Sequence, residues 1–181
     1  MTLESEPSIE PTAFVALDFA TYIVDNFSHD PDVVMRAAHA LGLARAAGIL
    51  IVHVLPEPLR DDIHPMMAAR EGEPVLGKMT IGAFASTPLH DLLQDAGVRQ
   101  IIVAGVATSG TVLSTSRWAH DVGYRVIVCS DACADPDPEA HAALLDSRVF
   151  PESWLGLWRI ATVLPADEIP NLNARFTPTI E

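Results

Sequence analysis

The sequence predicts an α/β protein: a three-layer sandwich with a doubly wound, mainly parallel sheet and helices on both faces. Short apolar runs rich in Val and Ile alternate with longer segments in which Ala, Leu and charged residues recur at helical spacing. Three of these helical segments end in Gly and lead within one to three residues into an apolar run, as in AAGILIV, DAGVRQIIV and DVGYRVIV. This order is typical of βαβ units, whose parallel strands are buried on both faces.

Each element follows from these two patterns. The nearly continuous apolar runs predict strands at residues 13–18, 49–55, 100–104, 125–130 and 159–164. The segments with helical spacing predict helices at residues 31–47, 87–96, 109–122 and 138–146. Pro31 and Pro138 suit first-turn positions. The C-terminal caps of the first three helices are the glycines Gly48, Gly97 and Gly123.

One domain is expected, since 181 residues with 49% hydrophobic content can bury most of their apolar surface in one core. We expect residues 1–12 to be a flexible N-terminal segment and residues 165–181 to be an extended C-terminal tail. Residues 56–82 contain four prolines and fit neither pattern, so we predict a long loop there. Its position after the second strand places it over the carboxyl edge of the sheet, where loops of this length are commonly functional.

The charge of the chain excludes some classes of partner. A formal net charge of −13 argues against binding to nucleic acid or to an anionic membrane surface, both of which attract basic patches. The start of the sequence, MTLESEPSIEPT, has neither a basic region nor an apolar one, and no apolar run is long enough to span a membrane. We therefore expect a cytoplasmic protein with a small-molecule partner. Cys129 and Cys133 are expected to be buried free thiols.

Three polar residues are predicted to meet at the carboxyl edge of the sheet. Asp18 ends the first strand, Lys78 lies near the end of the long loop, and Thr111 opens the helix that follows strand 100–104. If those two strands are neighbours, as a doubly wound sheet requires, their carboxyl ends meet in one crevice. An acid, a cation and a hydroxyl in a partly dry cleft shift one another's pKa values and can transfer protons.

Several short motifs, in their order and spacing, resemble those of the isochorismatase-like hydrolases, a cysteine hydrolase superfamily. The motifs are Asp18 after the first strand, KMTIGAFASTPL from Lys78, GVATSGTV from Gly105, and GYRVIVCSDACAD with His141 beyond it. The resemblance covers roughly residues 13–150. It implies a Rossmann-like fold, hydrolysis of a small organic molecule, no cofactor, and assembly as a homodimer or homotetramer.

The resemblance also implies a set of site residues. The family's catalytic trio is Asp, Lys and Cys, and its positions correspond here to Asp18, Lys78 and Thr111. A cis peptide is implied between Val106 and Ala107, so that the N–H groups of Ala107 and Thr111 form an oxyanion hole. The implied oxyanion and substrate-binding residues are Val106, Ala107, Thr108 and Phe84.

Thr111 in the place of the cysteine changes the expected chemistry. An alkyl hydroxyl is a far weaker acid than a thiol, so Thr111 is poorly suited to act as a nucleophile. The isochorismatases proper protonate a vinyl ether with an aspartic acid and need no covalent nucleophile. We therefore predict a hydrolase of a vinyl-ether or amide-type bond that works through Asp18 and Lys78. The alternative is a catalytically impaired family member that acts as a small-molecule binding or assembly protein. Two residues favour it: Thr111 in the place of the cysteine, and Ala20 at a position where many relatives carry Gln.

Other polar and aromatic residues are given structural interpretations. His53 stands within an apolar strand and is expected to be a core histidine with a hydrogen-bond partner. Asp61, Asp62 and His64 resemble part of the metal site of the nicotinamidases, but without a third ligand no metal is predicted. Three tryptophans are assigned to the core or to a subunit interface: Trp118, Trp154 and Trp158.

Overall fold

The predicted fold class is confirmed by the computed structural model, which describes residues 10–172. The strands of its central sheet are β1 (Thr12–Leu17), β2 (Leu50–Pro56), β3 (Val75–Lys78), β4 (Gln100–Val106), β5 (Arg125–Ala134) and β6 (Ala161–Leu164). Within the described residues these six strands form one sheet in the order β3-β2-β1-β4-β5-β6, and every neighbouring pair is parallel.

Helices cover both faces of the sheet. They are α1 (Thr21–Phe27), α2 (Val33–Ala46), α3 (Leu89–Asp95), α4 (Leu113–Asp121) and α5 (Pro138–Leu145). On one face, α2 packs against a buried cluster that includes Phe14 and Ile102. On the other, α3 and α4 pack against a second cluster that includes Val15 and Val103. Successive residues of β1 and β4 thus point into opposite cores, which explains why these runs are apolar without interruption.

The chain reverses its winding direction at β1. Leu17, the last residue of β1, pairs with Val54 of β2 on one side and with Gly105 of β4 on the other. The prediction that β1 and β4 are neighbours is therefore confirmed. Their carboxyl ends form a crevice at the switch point of the sheet. The predicted glycine caps are confirmed as well, since Gly48, Gly97 and Gly123 have φ values of 69°, 69° and 96°.

The long loop predicted at residues 56–82 is wrong in part. Val75–Lys78 forms the edge strand β3, which pairs with β2 from His53↔Val75 to Pro56↔Lys78. Two 3₁₀ helices, Glu57–Leu59 and Pro65–Met67, occupy part of the remaining segment. This edge strand has only four residues. Its apolar run is therefore too short to distinguish a strand from a loop by sequence.

Helix boundaries also differ from the prediction. The sequence does not predict α1, which has no capping side chain, no acidic residue in its first turn and no basic residue in its last. Pro31 lies before α2, which begins at Val33, rather than in its first turn. The helix predicted from residue 109 begins as a π-helical turn, Thr108–Val112, and continues as α4.

The ends of the described chain are held by specific contacts. Thr12, which we expect in the flexible N-terminal segment, is the first residue of β1. In the expected extended tail, residues Ala166–Asn171 form a 3₁₀ helix that contacts α2 and buries Ile169. Residues 1–9 and 173–181 lie outside the described residues, so the expectations for them stay predictions. No helix among residues 10–172 combines the length and apolarity that crossing a bilayer demands.

Candidate active site

Asp18 is placed by the end of β1. Its backbone has a φ of 59°, a left-handed conformation that Asp adopts more readily than most residues with a side chain. The Asp18 N–H donates to the Val54 carbonyl over 2.8 Å, which fixes the turn against β2. The residue is 6% exposed, so its carboxylate is held at the buried floor of the crevice.

Lys78 reaches this carboxylate from the edge of the sheet. It is the last residue of β3, and its side chain extends past β2 to bring Nζ within 2.9 Å of Asp18 Oδ2. Nζ also donates to the carbonyls of Thr80 over 3.2 Å and of Ile81 over 2.7 Å. These three acceptors surround a buried ammonium, as a charge removed from water requires.

The protonation of Asp18 is shifted by its surroundings. Burial raises the pKa of Asp18 to about 6, against the opposing effects of the Lys78 ammonium and the Thr111 hydroxyl. Desolvation disfavours the charged carboxylate, whereas the ion pair favours it. The result is a carboxyl group that exchanges protons close to neutral pH, which general acid–base catalysis requires.

The turn after β4 forms the opposite wall of the crevice. The implied cis peptide between Val106 and Ala107 is confirmed. Gly105 comes just before it, and a Cβ atom at this position would lie 2.7 Å from both the Cβ and the carbonyl oxygen of Leu17. Gly105 thus allows the end of β4 to approach the end of β1, which brings the turn close to Asp18.

The π-helical turn is tied to the protein by several of its N–H groups. The N–H groups of Gly110 and Val112 donate to the Ala107 carbonyl over 3.2 Å and 3.3 Å. The Ser109 N–H donates to Asp135 Oδ2 over 2.7 Å. Short π-helical segments are frequent at functional sites, and this one presents Ala107 and Thr111 to the crevice.

Two threonines of the turn have different environments. Thr111 is buried beside Asp18 and near enough to lower the pKa of that carboxyl group. Neither Thr111 Oγ1 nor Asp18 Oδ1, however, has a hydrogen-bond partner within bonding geometry in the described part of the chain. Thr108 is buried and does not line the crevice, and its Oγ1 lies 2.9 Å from Nδ1 of His141.

Asp135 and His141 support the turn from behind. Asp135 Oδ1 accepts the Asp137 N–H, so both oxygens of this buried carboxylate have N–H donors. Its carbonyl oxygen lies 2.6 Å from Nδ1 of His29. Burial and the neighbouring His29 lower the pKa of His141. Asp135 ends the motif GYRVIVCSDACAD quoted in the sequence analysis and His141 follows it, whereas His29 carries no sequence signal of this role.

The crevice opens into a pocket of about 600 Å³. Its polar floor is Asp18, Lys78 and Thr111, while Val106, Ala107 and Gly110 contribute one wall. The remaining lining residues, none of them named by the sequence analysis as site residues, are Ile23, Phe27, Pro56, Pro58, Met79, Thr80 and Ile81. Ile23 and Phe27 stand four residues apart on α1, and this helical spacing is a weak signal of one shared apolar face.

Phe84, the remaining implied substrate-binding residue, does not line this pocket. It is buried in the core and stacks on Trp118, with ring centroids 4.3 Å apart. Trp118 is partly buried and packs against the core, in agreement with one of the two interpretations given to the tryptophans. Trp154 is 75% exposed and Trp158 lies beneath the Arg159 guanidinium, 4.6 Å from the Trp158 ring centroid.

His53 is a partnered core histidine, as expected. It is 1% exposed, and its Nε2 lies 3.2 Å from Glu73 Oε2. Glu73 also accepts two hydrogen bonds from Arg45 of α2, each 2.7 Å long. Burial raises the pKa of Glu73, but the bonds from Arg45, Arg70 and His53 outweigh it and lower the pKa to about 2. This cluster holds the segment before β3, and thereby Lys78, against α2 and β2.

The acidic segment of the long loop makes local contacts. The Tyr22 N–H donates to Asp62 Oδ2 over 3.1 Å, and the Met66 N–H donates to His64 Nδ1 over 3.2 Å. Within residues 10–172, no cluster of three His, Cys, Asp or Glu side chains could hold a metal ion. Both cysteines are buried free thiols, as expected.

Comparison with known proteins identifies relatives of this chain. The family model described as the isochorismatase domain matches residues 12–150. A streptothricin hydrolase of Streptomyces noursei is 33% identical over 161 residues, which cover 81% of this chain and 64% of that protein. A maleamate amidohydrolase of Pseudomonas putida is 31% identical over 137 residues, covering 62% and 64%. The chain therefore spans less than two thirds of the length of these two curated relatives.

A solved structure shows the same likeness over a larger share of both chains. An isochorismatase family protein from Burkholderia thailandensis superposes with a TM-score of 0.73 at 26% sequence identity. The superposition covers 89% of this chain and 94% of the other. The layers, the strand order and the crevice at the switch point thus belong to a fold that proteins of this kind share.

Proposed function

The chain belongs to the isochorismatase family, and on that premise we propose that it hydrolyses an amide-type bond of a small molecule without a covalent enzyme intermediate. One observation carries the proposal. The buried carboxylate of Asp18, paired with Lys78, shares a pocket with the Thr111 hydroxyl, and neither Asp18 Oδ1 nor Thr111 Oγ1 has a hydrogen-bond partner in the described chain. Buried polar atoms are normally hydrogen-bonded, so these two atoms mark the position of a third polar group.

Asp18 acts as the base that activates water. With a pKa of about 6, the group is mainly carboxylate at pH 7. It takes a proton from a water molecule while the water oxygen bonds to the carbonyl carbon, giving a tetrahedral intermediate. Asp18 then gives this proton to the leaving nitrogen, the C–N bond breaks, and a carboxylic acid and an amine are released. The same residue thus serves first as base and then as acid.

Lys78 keeps Asp18 in the reactive state. Its ammonium, 2.9 Å from Oδ2, lowers the pKa of the Asp18 carboxyl group, which burial raises. The ion pair also fixes the carboxylate by its Oδ2 atom. The other oxygen, Oδ1, is left to take the proton.

The turn after β4 supplies the electrostatic part of catalysis. Of its N–H groups, those of Ser109, Gly110 and Val112 already donate within the protein. We assign the N–H groups of Ala107 and Thr111 to the developing oxyanion, as the family resemblance implies. The side chain of Thr111 positions the attacking water together with Asp18 Oδ1, and it is not the nucleophile, because an alkyl hydroxyl loses its proton too reluctantly.

A vinyl-ether substrate is the second candidate. Because its pKa is about 6, Asp18 is protonated in about one tenth of molecules at pH 7 and in far more at lower pH. The protonated form could deliver its proton to a carbon–carbon double bond, after which water would capture the cation. The two reactions need opposite states of Asp18, so they differ in the direction of their pH dependence.

The proposal is tested by screening small carboxamides, lactams and vinyl ethers for binding, by the shift in melting temperature, and then for turnover of every ligand found. Release of amine or ammonia that stops in the Asp18→Asn variant is the expected result. If every ligand found binds without turnover, the proposal of a hydrolase is overturned and the alternative, a small-molecule binding protein, is favoured.

A further inference from the structure

We propose that the pocket accepts an uncharged amide with an apolar substituent and discriminates against substrates that carry a carboxylate. This inference rests on the proposed amide hydrolysis and adds to it the charge and polarity of the substrate. Two independent features of the pocket carry it, namely the hydrogen bonds of Lys78 and the residues of its open wall.

Lys78 has no donor left for a substrate. An ammonium group has three N–H donors. Nζ of Lys78 has three acceptors, which are Asp18 Oδ2 at 2.9 Å, the Thr80 carbonyl at 3.2 Å and the Ile81 carbonyl at 2.7 Å. A substrate carboxylate could bind Lys78 only by displacing one of them, and displacing Asp18 would undo the ion pair that the reaction needs.

No other cation offers a substitute. Asp18 and Lys78 are the only titratable side chains among the described residues that line the pocket, and their charges cancel. Arg60, which follows the 3₁₀ helix at residues 57–59, lies 3.3 Å from Glu57 Oε1 and 3.7 Å from Asp61 Oδ1. A carboxylate entering the pocket would therefore be desolvated without a free cation to pair with its charge. The net charge of −13 adds repulsion at longer range.

The open wall of the pocket is apolar. Phe27 of α1 is 44% exposed, and Met79 and Ile81, which line the same pocket, are 75% and 66% exposed. Ile23 and Pro58 continue the apolar lining. Exposed apolar side chains that share one opening mark a binding surface, whereas isolated ones do not. An aryl or alkyl substituent on the amide would remove this surface from water, which is favourable.

The experiment compares two ligands of similar size. One is the neutral 4-methylbenzamide, and the other is 4-carboxybenzamide, which is an anion at neutral pH. The dissociation constants are measured by calorimetry, and ammonia release gives kcat/KM. We expect the neutral amide to bind at least about tenfold more tightly than the anion, which corresponds to about one unpaired polar contact. Equal or tighter binding of 4-carboxybenzamide, or no binding of the neutral amide, overturns the inference.

A variant with an added positive charge tests whether the lining of the pocket causes the preference for the neutral amide. Ile81→Arg places a guanidinium at the opening and should reduce or reverse the preference by strengthening the binding of 4-carboxybenzamide about tenfold or more. Met35→Arg is the matched control, because Met35 is exposed on α2 outside the pocket and the change in net charge is identical. A similar gain in both variants would assign the discrimination to net charge alone and overturn the inference.

The outcomes separate this inference from the proposed function. Tighter binding of the neutral amide without turnover supports the charge preference and contradicts amide hydrolysis. Turnover of 4-carboxybenzamide at the rate of its neutral counterpart supports hydrolysis and contradicts the charge preference.

Discussion

Lys78 Nζ lies 2.9 Å from Asp18 Oδ2, although Lys78 ends β3, Asp18 follows β1, and β2 lies between these two strands. Asp18 is 6% exposed and Lys78 is 4% exposed, so the pair is formed almost out of water. Such a pair persists because each charge would be costly to bury alone.

Asp18 and Thr111 are expected to differ in their importance for turnover. Asp18→Asn should lower kcat/KM by about 10²–10⁴, because an amide cannot take a proton from water. Thr111→Val removes one hydrogen bond to the attacking water and should cost no more than about tenfold. Steady-state kinetics on a substrate found by the screen measures both. An active Asp18→Asn protein with an inactive Thr111→Val protein would contradict the mechanism and make Thr111 the nucleophile.

The pH profile of kcat/KM should report the ionisation of Asp18. Burial raises its pKa to about 6, so hydrolysis of an amide by the carboxylate should increase with pH and reach a plateau above about pH 7, with its half-maximum at about pH 6. Turnover of a vinyl ether would instead fall above that pH. In a Lys78→Met variant the inflection should move to higher pH, since the ammonium lowers the pKa of Asp18. If the inflection lies at the same pH in the parent and in Lys78→Met, the pH profile does not report the ionisation of Asp18 in this ion pair.

Thr111→Cys should create a reactive thiol at the start of the helical segment. Partial positive charge at a helix N-terminus and the Lys78 ammonium both favour a thiolate. The two native cysteines are buried, and burial raises the pKa of Cys133 to about 12 and that of Cys129 further. Iodoacetamide under native conditions should therefore add one group, at position 111, by mass spectrometry. The parent protein, unmodified when native and modified twice when denatured, is the control.

Gly105→Ala should destabilise the fold and impair the site together. The added methyl group would lie 2.7 Å from Leu17, which forces β4 away from β1. We expect a loss of about 1–3 kcal/mol in the free energy of unfolding, as overpacked cores show. Gly42→Ala is the control, because a Cβ atom there meets nothing within 4 Å and alanine favours the helix. Equal effects of the two substitutions would contradict the close approach at Leu17.

Glu73→Gln should destabilise the protein by about 3 kcal/mol at neutral pH, because Arg45 then loses its partner in a mostly buried pair. The pKa of Glu73 is lowered from 4.5 to about 2, so its contribution is present above pH 4.5 and is lost as pH falls towards 2. The difference between parent and variant should shrink over that range in urea unfolding.

The exposed Glu71 in the same segment provides a control for that measurement. Glu71→Gln should change the free energy of unfolding by less than about 0.5 kcal/mol. A difference between the parent and Glu73→Gln that stays constant from pH 6 down to pH 2 would show that ionisation of Glu73 is not the source of its effect.

The sequence predicts the polar floor of the pocket better than its walls. Asp18 and Thr111 stand next to long apolar strands, so the position of each follows from the order of a parallel sheet. Met79 and Ile81 are apolar residues in an irregular segment, and nothing in their spacing reveals that folding leaves them at an opening. Phe84 shows the converse, because a phenylalanine within a quoted motif is buried and stacks on Trp118 instead of lining the pocket.

Short elements account for the remaining differences. β3 has four residues and α1 has seven, and neither has the periodicity or the caps that identify longer elements. Both nevertheless bear on the site, since β3 ends at Lys78 and α1 presents Phe27. β3 is held by its pairing with β2, and α1 is held by contact with the segment around Asp62. These partners are distant in sequence from the elements that they hold.

Lys78 is also the single lysine of the chain, since the other ten of its eleven basic residues are arginines. Growth on ¹⁵N-labelled lysine would therefore place one isotopically marked ammonium in the whole molecule. Because that nitrogen is shielded from solvent and held by three acceptors, its protons should exchange slowly enough to give one resolved resonance. The resonance should shift when Asp18 gains a proton and when a ligand enters. Spectroscopy could thus follow the site through titration and turnover without an attached probe.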